Sequence, residues 1–152
     1  MKYFSSSSTH KIDAKGRVSI PASFRKVLEA EEDPTVVLIP RMHGEPAIEG
    51  LTVSYFNEIQ ARLDALNPLL PTTRALKRKL IAPARHQPLE DTGRIALGRD
   101  LIEIIERPEQ ALFVGMGRTF QIWNPEVYAA QDAEMDELAL ESFHLLPQSS
   151  AP

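Results

Sequence analysis

Apolar and polar residues alternate over residues 9–20, where Lys11, Arg17 and Ser19 separate Ile12, Val18 and Ile20. A period of two predicts strands. Ala14, Lys15 and Gly16 between them predict a tight turn, with Gly16 free to take a positive φ. Pro21 marks the start of a helix. Phe24 and Leu28, four apart, give that helix its buried face. Residues 36–40 (VVLIP) run apolar without a break, which predicts a strand covered on both faces. Residues 41–46 (RMHGEP) read as a loop, and residues 51–56 (LTVSYF) alternate again. Phe56, Ile59, Leu63 and Leu66 then share one helical face, with Glu58, Arg62 and Asp64 elsewhere. Residues 67–71 (NPLLP) end that helix, since a proline disfavours helix at the residue before it. Thr72 or Thr73 is the candidate cap for the next helix, through Leu76, Leu80 and Ile81. From Leu89 the order strand, turn, helix, strand, strand, helix returns. The last helix begins near Pro125 and runs through Val127, Met135, Leu138 and Phe143. Residues 5–8 are four serines without a packing signal, so residues 1–8 are expected to be loose, and residues 147–152 to fray.

The return is a repetition of wording as well as of order. Residues 12–21 read IDAKGRVSIP and residues 89–98 read LEDTGRIALG. Laid with Arg17 on Arg94, each has an apolar residue, an acid three residues before a Gly-Arg pair, then alternating apolar residues. A helical stretch follows each copy. Repetition of a unit too small to stand alone predicts two copies sharing one core. The expected division is residues 1–70, residues 71–146, and a frayed end over 147–152.

Composition adds bounds. The chain has 152 residues, 43% hydrophobic and 25% charged, which suits one soluble globular unit with a real core. No apolar run approaches the ~18 residues of a membrane span. The N-terminal residues lack the apolar core of a signal peptide, and a cytoplasmic location is expected. There is no cysteine, hence no disulfide framework and no thiolate chemistry.

Charge changes the picture more. The net charge of −4 is wrong for a partner of nucleic acid until its distribution is read. Residues 1–26 set Lys2, Lys11, Lys15, Arg17, Arg25 and Lys26 against Asp13 alone. Residues 74–99 set seven bases against Glu90 and Asp91. Residues 126–141 hold Glu126, Asp132, Glu134, Asp136, Glu137 and Glu141 and no base. The two basic windows contain the two repeated phrases, and blocks of one sign can steer a polyanion.

Other chemistry finds no constellation. His10, His43, His86 and His144 are scattered without metal-ligand spacing, so no metal is expected. There is no G-x-S-x-G elbow. Gly115-Met116-Gly117 lacks the Lys-Ser/Thr of a phosphate loop. Glu31 and Glu32 lie in a hydrophilic turn. No catalytic residue, cofactor or enzymatic activity is expected. Trp123 is a core or subunit-contact candidate, and the basic stretch of residues 74–80 is either a solvated face or a secondary phosphate site.

Four pieces carry a family resemblance: HKIDAKGRVSIPASFR, YFNEIQARLDAL, the second GRI phrase, and LFVGMGRTFQIWNPEVY. Together they resemble the MraZ family, bacterial transcriptional regulators of the AbrB-like, swapped-hairpin DNA-binding group. The family's acid-x-x-x-Arg phrase stands intact from Asp13 to Arg17. The second copy departs from the first, with Glu90 for the acid and Gly98 where the first has Pro21. The resemblance implies an α+β fold in which two halves interleave their hairpins into one small barrel with flanking helices. It also implies a ring-shaped homo-oligomer, associated with the nucleoid, that binds short tandem DNA repeats upstream of division and cell-wall genes.

The residues supply a physical reason beside the resemblance. A guanidinium in a turn next to glycine can reach a phosphate, or the edge of guanine with two parallel hydrogen bonds. Arg17 and Arg94 are therefore the expected DNA contacts. Gly16 and Gly93 let the backbone approach, and Lys15 reaches a phosphate where the second copy has Thr92. Asp13 and Glu90 hold the arginine or its loop in register. The same pattern also suits an Asp–Arg pair that only fixes a hairpin. The rival function is a non-enzymatic interaction module of the AbrB-like antitoxin kind, against which the duplicated phrase and the helical C-terminal segment both count.

Overall fold

The period-two segments become short strands and the period-3.6 segments become helices in the computed structural model, which describes residues 3–148. The first half contains β1 (Ser7–Lys11), β2 (Arg17–Ser19), α1 (Ala22–Glu29), β3 (Val36–Pro40), β4 (Ile48–Thr52) and α2 (Val53–Asp64). After α3 (Pro71–Leu80) the order returns as β5 (Arg85–Gln87), β6 (Arg94–Ala96), α4 (Arg99–Ile104), β7 (Gln110–Gly115), β8 (Phe120–Trp123) and α5 (Pro125–Ser142). A single 3-10 turn, Phe143–Leu145, closes it.

Six strands form one antiparallel sheet in the order β1-β7-β8-β4-β3-β5, and β2 pairs with β6 as a separate ribbon. The halves exchange strands. β1 of the first half pairs with β7 of the second, and β5 of the second half pairs with β3 of the first. Neither sheet closes on itself: the large one ends at β1 and β5, so the expected closed barrel is not formed by these pairings. An isolated bridge from Ile12 to Val18 ties the end of β1 to the ribbon.

The main core draws on both halves. Val18, Ile20, Phe24, Leu28, Val36, Leu38 and Ile48 meet Ile95, Leu97, Leu101, Ile105, Phe113, Phe120 and Ile122 in one buried cluster. Phe4 closes this cluster, against the expectation that residues 1–8 are loose. It is 2% exposed, its ring stands edge-on to Phe24 and Phe120 at 5.4 and 5.0 Å, and its backbone exchanges hydrogen bonds with Gly117. The exposed serines that follow are held by main-chain pairing with β7, which needs no side-chain signal.

A second cluster packs α2 on the sheet through Phe56, Ile59 and Leu63 against Val37, Ile39 and Leu51. Residues 36–39 are thus buried on both faces of β3, as an unbroken apolar run requires. Leu66 falls past the end of α2 and is exposed. The alternation of residues 51–56 is split: β4 ends at Thr52, whose hydroxyl caps α2 by accepting the Tyr55 N–H at 3.1 Å. Neither Thr72 nor Thr73 caps α3. Leu70 occupies that position, Pro71 begins the helix, and Thr73 is buried. Proline at the first helical position leaves no N–H to cap there.

The six-residue α4 starts at Gly98 without a side-chain cap and is shorter than its eight-residue counterpart α1. The start of α5 is capped by the Asn124 side chain and packs Val127 and Tyr128 around buried Trp123. Beyond that turn α5 stays at the surface, with Gln131 and Met135 still beside Glu45 and Met116. None of its residues is buried, and Met135, Leu138 and Phe143 are exposed. Residues 147 and 148 have no regular structure. The rest of the segment expected to fray, residues 149–152, lies outside the described residues, as do residues 1 and 2.

Candidate nucleic-acid interface

The two repeated phrases come together as the β2–β6 ribbon. Val18 pairs with Ile95 at its centre, Arg17 lies opposite Ala96, and Ser19 opposite Arg94. Strand alternation sends Val18 and Ile95 into the core, both 0% exposed, and leaves Arg17 and Arg94 on the outer face. Each arginine leaves a glycine turn. Gly16 and Gly93 have φ of 79° and 80°, and equivalent hydrogen bonds lock the turns to the opposite half: Leu97 N–H to the Gly16 carbonyl at 2.8 Å, and Ile20 N–H to the Gly93 carbonyl at 3.0 Å.

Asp13 organises both halves of this face. Its Oδ1 accepts the backbone N–H groups of Lys15 and Arg17, each at 2.9 Å. Its Oδ2 accepts Arg17 Nε at 3.2 Å and Arg94 Nη1 at 3.4 Å. The Arg17 backbone N–H, then that of Lys15 and the Arg17 guanidinium, hold the Asp13 carboxyl below its ordinary value. Glu90 does not repeat this. Its carboxylate makes no bond to its own turn and faces Arg17 Nη1 of the other copy at 3.9 Å. Arg94 instead donates from Nε to Thr92 Oγ1 at 3.3 Å. Glutamate's extra methylene carries its oxygens past the turn N–H groups that aspartate reaches.

The four groups Arg17, Arg94, Asp13 and Glu90 cancel in charge. Lys15, Arg25 and Arg99 add positive charge here and Asp91 of the second turn subtracts one, and none of these four enters an ion pair among the described residues. Lys15 is exposed at the tip of the first turn. Beside it lies an open groove of about 580 Å³, bordered by Gly16, Leu97, Arg99, Ile102 and Arg107. Sequence reasoning singled out neither Arg99 nor Arg25. Both stand in helices downstream of the phrases, and only the fold brings a helix of one half beside the turn of the other. Their place in the two basic windows was the available signal.

This face can present two guanidiniums at a fixed separation with their backbone supports rigid. A two-stranded ribbon of this kind fits the major groove of B-DNA. Among the described residues, no group of three or more His, Asp and Glu could hold a metal ion, and no helix is long and apolar enough to cross a membrane.

The family model for the MraZ protein, described as antitoxin-like, matches residues 3–43. The transcriptional regulator MraZ of Ruegeria pomeroyi is 37% identical over 147 residues, covering 89% of this chain and 88% of the relative. The protein of that name from Gluconobacter oxydans is 41% identical over 132 residues, covering 85% and 80% respectively. That of Rhodospirillum rubrum is 38% identical over 133 residues, covering 86% and 84%.

Proposed function

The chain belongs to the MraZ family, whose members above are named transcriptional regulators, and from that premise we propose that it regulates transcription by sequence-specific DNA binding through the β2–β6 ribbon. The observation that carries this reading is the meeting of Arg17 and Arg94 on one Asp13 carboxylate. A carboxylate that spans both arginines fixes their spacing and leaves their remaining N–H groups to a partner. Arg17 and Arg94 read base edges or phosphates, Lys15 contacts a phosphate, and Gly16 and Gly93 keep the backbone close to the duplex. Asp13 and Glu90 act as supports. The exchange of β1 and β5 between halves is consistent with a swapped-hairpin arrangement.

One chain offers two such turns, and a target of several short tandem repeats needs more. A closed homo-oligomer, a ring built by a head-to-tail interface, supplies them. α2 spends its apolar face inside the chain, so α5 and the turn after it, with Leu138, Leu140, Phe143 and Leu145 exposed, are the favoured subunit contact.

Binding of the DNA upstream of this chain's own gene, against a scrambled control, tests the reading. Arg17→Ala and Arg94→Ala should each weaken target binding by about 1–3 kcal/mol and relax sequence preference. Arg17→Ala should be the more damaging, because the Asp13 turn is the better-bonded support. Full affinity in the double variant overturns the assignment. The antitoxin-like description of the family model favours one second reading, a module that captures a protein. That reading gains if the parent chain shows no preference for its upstream DNA.

A further inference from the structure

Gly16 and Gly93 are equivalent in the repeat, but different side chains cover them. A Cβ on Gly16 would meet Ile102 of α4, at 3.1 Å from its terminal carbon. A Cβ on Gly93 would fall onto the guanidinium of Arg25, from α1 of the other half. Arg25 and Ile102 stand in the same place of the two copies, so the asymmetry is one of chemistry and not of position.

Arg25 is half-buried, and its Nε is enclosed without a hydrogen-bond partner. No hydrogen bond or ion pair of the described residues engages its terminal nitrogens, and neither is among the enclosed orphan atoms. They therefore keep contact with solvent at the base of the Gly93 turn. His10 lies near enough that the Arg25 charge, after burial, helps to lower its pKa, and its hydrogen bond goes to Ser8 rather than to Arg25. A pre-positioned guanidinium that enters no ion pair among the described residues is a strong partner for an oxyanion.

We propose that Arg25 is a phosphate contact of the second turn, supplied across the repeat to do there what Lys15 does at the first. The second copy has Thr92 where the first has Lys15, and Thr92 is occupied by Arg94. With Arg25 counted, each turn has one reading arginine and one backbone cation. This rests on the DNA-binding reading above and adds to it a residue outside the repeated phrase.

The test is a salt titration of target and scrambled DNA, after the parent chain has been shown to need Arg17 and Arg94. Arg25→Met keeps the apolar stem over Gly93 and removes the charge. Its slope of log affinity against log salt should be shallower by about 0.9 per chain engaged, which is roughly a 3- to 4-fold smaller loss between 50 and 200 mM salt. Sequence preference should not change, Arg25→Lys should keep the parental slope, and Thr92→Lys should restore it in Arg25→Met. A folded Arg25→Met with the parental slope overturns the proposal and leaves the DNA-binding reading standing, whereas a parent indifferent to DNA overturns both. Phenylglyoxal labelling of the unsubstituted chain, read peptide by peptide, decides the matter if Arg25→Met does not fold. Target DNA should protect Arg25 along with Arg17 and Arg94, and Arg25 labelling that is absent or unchanged by DNA overturns it.

Discussion

Single residues govern the ribbon through the two turns. At Gly16 a side chain meets two obstacles, the positive φ and the Leu97 carbonyl oxygen, 2.8 Å from where its Cβ would stand. Gly44 has φ of 80° with nothing within 4 Å, so it isolates the backbone effect. Gly44→Ala should lower stability by ~1–2 kcal/mol, and Gly16→Ala should exceed it, with DNA affinity also reduced. Urea midpoints of the two variants check this, and equal losses would dismiss the close approach. Asp13 adds a dependence on pH. Its pKa is lower folded than unfolded, so its stabilising effect is complete above the ordinary carboxylate range and fades as pH falls below about 4. Asp33, held low by the Thr35 side chain and backbone N–H, acts in the same direction. His10 acts in the same direction at milder acidity, since its lowered pKa makes protonation below about pH 6.5 favour the unfolded chain. Asp13→Asn should therefore unfold more easily than the parent at pH 7 and lose less between pH 5 and 3. Parallel curves would deny Asp13 its role.

At the scale of elements, β1 shows how little side-chain signal an edge strand needs. Its serines are outward and its main chain pairs with β7 along all five residues. Phe4 anchors the approach to it between two aromatic rings of the core. Phe4→Ala should cost about 3–5 kcal/mol, the range for removing a fully buried aromatic ring, and calorimetry against the parent checks it. Loss of less than 1 kcal/mol would return residues 1–8 to the loose state that the serines suggest. β4 and β8 carry a different constraint. Gly50 lies against the face of Phe120, where a Cβ would intrude on the ring. Next to it a buried polar chain runs from Thr119 and Gln121 onto Glu49, with Trp123 Nε1 donating to Gln121 Oε1 at 2.9 Å. Each member is satisfied, so the network specifies the pairing of β4 with β8.

At the scale of the whole molecule, the bases collect in the sequence windows of the two turns and the acids on α5. Glu126, Asp132, Glu134, Asp136, Glu137 and Glu141 all lie on α5, which stays out of the core after its first turn. Changing Asp132, Glu134, Asp136 and Glu137 to Lys should raise affinity for scrambled DNA through long-range attraction and leave preference for the target unchanged. Loss of preference in a folded, assembled variant would put α5 on the reading surface. Leu138→Asp with Phe143→Asp should leave the unfolding of the chain nearly unchanged and reduce the assembled mass measured by light scattering. A parental mass in that variant would move the subunit contact elsewhere.

The division between sequence and tertiary structure follows the range of the forces involved. Periodicity and turn chemistry are local, and the sequence alone therefore determined the strand–turn–helix order, the buried faces of Phe24–Leu28 and Phe56–Ile59–Leu63, the two glycine turns and the Arg on each. A period of two states that a strand has an inner face without stating which strand supplies its neighbour. The pairing of β1 with β7 and β5 with β3 was decided by the fit of both halves into one core. Phe4 was invisible for the same reason, since two adjacent aromatics, Tyr3 and Phe4, before four serines have no period. At the ribbon the sequence named Asp13, Arg17, Glu90 and Arg94 but assigned each acid to its own arginine or its own loop. Only the folded chain decided that Asp13 takes Arg94 as well, that Glu90 faces Arg17, and that Arg25 lies beneath Gly93. These contacts join residues far apart in the chain, and their geometry exists only after the halves have exchanged strands.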